Sequence, residues 1–180
     1  MQYFFILLFL IGCGTEKVVE EPNHSIFNSN IPQKNWGDFS NYVDDFMAVA
    51  KIYGKDRDAR IDALKTIKVV DTLVAEKEAE CERICYDDDN TLAYTQISIT
   101  QDTVNQFLGE PVFRFIMFHE LAHCLLNMQH TTTENSLMYP ITPFYPSKKD
   151  VNSAIKEFFN NLPSVDASHC QQQSIIASQS

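Results

Sequence analysis

Basic residues are the minority charge in this 180-residue chain: 14 Lys and Arg stand against 24 Asp and Glu, a net charge of −10. A surface of that sign repels phosphate backbones and anionic headgroups, so neither nucleic acid nor an anionic membrane surface is recruited by charge. Long hydrophobic runs are also missing. The unbroken apolar stretch Tyr3 to Ile11 is far shorter than the ~20 residues that cross a bilayer as a helix. The length supports one domain with a proper core and is short for two. Asp87-Asp88-Asp89-Asn90 lacks the D-x-D-x-D-G spacing of a calcium loop and reads as a solvated turn. Glycine is scarce, with five in all and none after Gly109. Any left-handed turn in the C-terminal part therefore falls to another residue, Asn being the next best.

The apolar run near the N-terminus has the length of a signal h-region, so residues 1–12 are set aside as a targeting segment. It ends in Leu10-Ile11-Gly12-Cys13, which resembles the bacterial lipobox. The resemblance implies a lipoprotein that begins at Cys13, carries acyl chains there and is anchored by them in the bacterial cell envelope. Gly14 stands where an inner-membrane retention signal has Asp, which favours the outer membrane, facing either the periplasm or the surface. The alternative is a cleaved secretory signal with an incidental cysteine. Residues 13–35 are mixed in charge and carry two prolines, and read as a tether; His24 within them is a solvated linker residue. Export to an oxidising compartment makes disulfides the expected state of Cys81, Cys85, Cys124 and Cys170, for which three full pairings exist. Cys81 and Cys85 would lie roughly 13 Å apart on one straight strand and could pair only in a helix or turn. A four-cysteine zinc site is a further reading, weakened by the ease with which exported thiolates oxidise.

The globular part is expected over 36–162. Apolar residues recur at helical intervals from Asn41 to Tyr53, with Ser40 as cap and Gly54 as stop. Thr66 to Val74 reads as a strand, Glu76 to Glu82 as acidic surface, and Tyr94 to Thr100 as an alternating strand. Asp102 can cap a short helical piece that Gly109 interrupts. A helix from Pro111 to Leu126, apolar nearly all round, is the mark of an element buried at the centre of a domain. Ile141 to Tyr145 reads as a rigid loop, Ser147 or Asp150 as the cap of a last helix through Phe159, and 163–180 as a polar, disordered tail that Cys170 can tie back.

Two histidines and a glutamate in so apolar a helix need a reason, because unpaired buried polar groups are costly. His119, Glu120 and His123 spell H-E-x-x-H. The i and i+4 imidazoles share one helix face and can approach one ion, while Glu120 points about 100° round the axis, toward water instead of metal. Cys124 faces away from that ion. A third ligand cannot come from the same straight helix, so the chain must turn back. Asn127 can make the turn and His130 follows it. Chance alone would give H-E-x-x-H in such a chain roughly once in a hundred times, so the flanking residues carry the weight.

With His130 and with Met138 in L-M-Y-P, the stretch 119–140 resembles the metzincin clan of zinc endopeptidases, and among them the matrixins. Their pattern is H-E-x-x-H-x-x-G-x-x-H followed by a methionine turn. This chain has Leu126 in place of the glycine and its third histidine one residue late, a change that a turn moved to Asn127 would compensate. The resemblance covers residues 111–160. It implies an α+β zincin domain, a small mixed sheet packed on a central zinc-binding helix with a C-terminal helix. It further implies Zn2+ on His119, His123 and His130, Glu120 as the general base for a metal-activated water, Met138 beneath the metal, and Tyr139 and Pro140 shaping the pocket after the scissile bond. The expected activity is hydrolysis of peptide or protein substrates. Glu134 and Glu157 are competing ligands that leave Met138 unexplained, and His169 lies in the polar tail. The alternative function is a catalytically inactive lipoprotein that binds zinc or a protein partner.

Overall fold

The computed structural model describes residues 33–74, 77–86, 89–140, 147–164 and 166–170. The expected signal segment, lipidated Cys13, most of the tether, His24 and the loop 141–145 lie outside these residues.

A 3-10 turn over Gly37–Phe39 leads into α1 (Ser40–Ile52). Then follow β1 (Leu64–Val70), β2 (Ala79–Cys85), β3 (Leu92–Thr100), α2 (Gln101–Phe107), α3 (Pro111–Leu126) and α4 (Lys148–Asn161). The architecture is mixed α+β. The three strands form one sheet in the order β1-β3-β2, with β1 parallel and β2 antiparallel to β3. β3 is central, and Thr95, Ile97 and Ile99 alternate into the core, with Leu92 buried beyond the register shift opposite Cys85.

Of the 16 residues of α3, 13 are buried, which makes it the hub of the core. Glu110 precedes it with extended dihedrals and Pro111 occupies its first turn, where a missing N–H costs nothing. Across its faces, Phe46 of α1 packs on Phe118 at 5.2 Å and on Phe159 of α4 at 5.4 Å, and Tyr42 packs on Phe113 at 5.1 Å. Arg114 ties the same three helices together, its Nε donating to Asp45 at 2.7 Å and one Nη to Asn152 at 2.7 Å. α4 starts with a reciprocal capping box between Ser147 and Asp150, so both residues expected as caps share the task.

Four expectations about elements need correction. The acidic stretch expected as surface contributes to β2, an edge strand paired with β3 from Ala79↔Ile99 to Cys85↔Leu92. Charge dominates its composition, but Ala79, Cys81, Arg83 and Cys85 alternate onto the face that packs inward. β1 ends at Val70 instead of Val74, because its partner ends at the facing Thr100 and residues beyond have no ladder to join. Ser40 is the first residue of α1 and not its cap; Phe39 holds that position, without a side-chain cap bond. Thr100, leaving β3 with extended dihedrals, caps α2 by accepting the Thr103 N–H at 3.2 Å, which places Asp102 inside the first turn, where its charge suits the helix dipole.

The chain also packs beyond residue 162. Ala167 is 3% exposed, His169 forms an antiparallel bridge with Thr91, and Cys170 pairs with Cys85. The other disulfide joins Cys81 to Cys124, Cα to Cα 5.6 Å. With Cys81 and Cys85 on one strand, a bond between the two is excluded by distance.

Candidate metal centre

α3 brings His119 and His123 to one face, and its end decides the rest. Asn127 adopts φ 54°, ψ 33°, the left-handed conformation expected of it, and its N–H and that of Met128 both reach the Ala122 carbonyl. That turn reverses the chain and returns His130 to the helix. The Nε2 atoms of His119, His123 and His130 form a nearly equilateral triangle with edges of 3.0, 3.1 and 3.1 Å.

Backbone carbonyls hold the rings. His119 Nδ1 donates to Leu137 O at 2.6 Å and His123 Nδ1 donates to Met128 O at 2.5 Å. A carbonyl can only accept, so each Nδ1 carries the proton, and in the neutral ring each Nε2 presents a lone pair. Burial keeps the rings neutral: it lowers His119 to about 4 and, with the neighbouring His119, lowers His123 to about 3. The exposed His130 is also lowered, by partial burial of its ring first. No proton is left to bridge His119 and His123, so their lone pairs face each other at 3.0 Å. A cation among them removes that repulsion. Tetrahedral zinc with Zn–N of about 2.0–2.1 Å calls for N···N edges of about 3.3–3.4 Å. The observed edges fall within a few tenths of an ångström of that value, and the three histidines lie close enough to hold one metal ion. Imidazole sets of this kind suit zinc among the late first-row metals.

Glu120 is 7% exposed and opens onto the same cleft, of about 230 Å³. Burial raises its carboxyl to about 7, partly offset by a hydrogen bond from the Cys81 main chain and reinforced by Glu80. The cleft runs between α3 and the stretch Lys77 to Cys81, which leads into and begins β2, and Tyr139 and Pro140 line it with His130. Met138, next to Tyr139 in the chain, is 2% exposed. Its carbonyl accepts the Thr131 N–H at 2.9 Å, and its neighbour Leu137 supplies the carbonyl that orients His119. Of the other residues weighed as ligands, Glu134 and Glu157 are exposed and stand outside the triad, and His169 contacts Ser168 and Asp166 instead.

β2 is the part of the site that sequence reasoning missed. Its signal was the alternation of Ala79, Cys81 and Cys85 inside an acid-rich stretch. The Leu137 and Met128 carbonyls had no signal at all, since main-chain acceptors are independent of residue type.

Fold and site together define a small mixed α+β domain with a tri-histidine candidate metal centre on its central helix. Comparison of the chain with protein-family models, with curated protein sequences and with solved structures finds no match in any of the three.

Proposed function

We propose that the chain is a zinc-dependent endopeptidase of metzincin-like, matrixin-like type. The observation that carries the reading is the convergence of three Nε2 atoms within 3.0–3.1 Å beside a buried glutamate that opens onto the same cleft. Held by the three imidazoles, zinc would supply Lewis acidity that brings the pKa of a water to about 7 and polarises a peptide carbonyl.

The chain's own residues do the rest. Glu120, between two ligands in sequence and at the cleft wall, accepts the proton of the attacking water and returns it to the departing amine. β2 pairs with β3 along one edge, which leaves main-chain groups on the cleft side able to align an extended peptide as an added strand. Tyr139 and Pro140 wall the pocket for the side chain after the scissile bond, and Met138 supports the ligand triangle from below without ligating. The acyl chains on Cys13 tether this activity to the cell envelope, with the outer membrane as the proposed site.

The test is peptide-library cleavage by the protein carrying Cys13→Ser, with Glu120→Ala and chelator-treated protein as controls. Cleavage that needs both zinc and Glu120 supports the reading. Stoichiometric zinc with no cleavage above the Glu120→Ala background would assign the chain to non-catalytic zinc or protein binding.

A further inference from the structure

The last four carbonyls of a helix have no partner inside it, and at the end of α3 they bear directly on the metal centre. Leu125 O accepts the Arg60 N–H at 2.9 Å. His123 O and Cys124 O are both met by one side chain from the edge strand: Arg83 Nη1 donates to Cys124 O at 2.7 Å and to His123 O at 3.4 Å. The other arm of the same guanidinium, Nη2, donates to Ala167 O at 2.9 Å and to His169 O at 3.1 Å. Among the described residues Arg83 forms no ion pair, and its recorded acceptors are all main-chain carbonyls. A cation at this point also suits the negative end of the helix dipole.

The neighbours of Arg83 on the same face of β2 fasten the same region. Cys81 is bonded to Cys124 and Cys85 to Cys170, so residues 81, 83 and 85 make three successive attachments to the end of α3 and to the segment 167–170. The two disulfides act on Cβ atoms. Arg83 acts on the carbonyls of His123 and Cys124, in the last turn before the chain leaves the helix, swings through Asn127 and delivers His130.

We infer that Arg83 is the positioning residue of the metal centre: its guanidinium fixes the His123–Cys124 peptides, and with them the angle at which the turn presents His130 to His119 and His123. The inference rests on the reading of the three histidines as a zinc site. It assigns Arg83 no contact with metal or substrate.

The experiment compares Arg83→Met with Arg114→Met in the full chain. Arg114 ties α3 to α1 and α4 from the part of the helix away from the ligands. Zinc affinity is measured by competition with a chromophoric chelator, the visible spectrum is recorded with Co2+ in place of zinc, and melting is followed by circular dichroism. Arg83→Met is expected to weaken zinc binding about 10–100-fold, the usual loss when a group that holds ligands in place is removed. It should also shift the cobalt bands. Arg114→Met is expected to lower the melting temperature while leaving affinity within about twofold and the cobalt spectrum unchanged, as for a contact that supports the fold alone. Arg83→Lys keeps the charge and one donor nitrogen in place of two, so it should recover part of the affinity; it carries the comparison if Arg83→Met fails to fold. Equal zinc affinity in wild type and both Arg83 variants overturns the inference, as does an equal loss in Arg114→Met. A wild-type chain that binds no zinc removes the inference and the proposed function together, a different outcome from either.

Discussion

His130 Nε2 lies 3.1 Å from His119 Nε2, although a helix end and a left-handed turn separate the two residues. The same atom is 3.1 Å from His123 Nε2, so the third corner of the triangle comes from outside the helix. His130→Ala removes a donor outright. Zinc affinity should fall by more than the roughly 10–100-fold typical of losing an orienting partner. Chelator competition measures it, and an unchanged dissociation constant would take His130 out of the ligand set.

Asn127 makes the turn that delivers that ligand, at φ 54°. Gly adopts this conformation without steric cost, whereas Ala pays about 1–2 kcal/mol for it. Both substitutions lose the Asn127 Nδ2 bond to His169 O, so the difference between them isolates the backbone. Asn127→Gly should therefore be more stable than Asn127→Ala by about 1 kcal/mol in urea unfolding, and should retain tighter zinc binding. Equal stabilities would show that the left-handed conformation does not matter for the turn.

The helix α3, its ligand spacing and its turn were legible because each is local. Four residues set a helix face, and an Asn after an apolar run sets a left-handed stop. The bounds expected for α3, Pro111 to Leu126, coincide with those observed. β2 was not legible, since its assignment depends on pairing with β3, and five of its seven residues are charged or cysteine in a setting that reads as surface. The disulfide partners were open for the same reason: Cys81 and Cys124 meet only once strand and helix are packed. Nothing local in the sequence sets Arg83 apart, and only the fold turns it toward the end of α3.

The core that holds α3 makes a separate prediction. Phe46 is fully buried between Phe118 and Phe159, so Phe46→Ala should cost about 3–5 kcal/mol, transfer and cavity together. Guanidinium unfolding with saturating zinc reports this loss. Because Phe46 touches no ligand, the folded variant should bind zinc as wild type does; a fall in affinity larger than that of Asn127→Ala would mean that α1 shapes the site.

The buried groups of the centre fix how stability depends on pH once a chelator has removed zinc. His119 and His123 titrate near 4 and 3 when folded, below their ordinary 6.5, so between those values the unfolded chain binds two protons that the native chain refuses. His130 shifts in the same direction. Glu120 acts oppositely: at about 7 when folded against 4.5, the native chain keeps a proton that the unfolded chain has lost. Three lowered histidines stand against one raised glutamate, so the unfolded state binds more protons near pH 5.5 and stability rises with pH there. Toward pH 7 the histidine contribution fades as the unfolded imidazoles lose their protons, and the curve flattens. Glu120→Gln removes the opposing group, so its slope near pH 5.5 should be steeper than that of the wild type. Urea midpoints from pH 4.5 to 7.5 measure both curves. Parallel curves would mean that Glu120 is ionised throughout in the metal-free protein, and a metal-free stability that falls as pH rises from 4.5 to 6.5 would mean that the buried imidazoles take up protons as readily in the folded state as in the unfolded one.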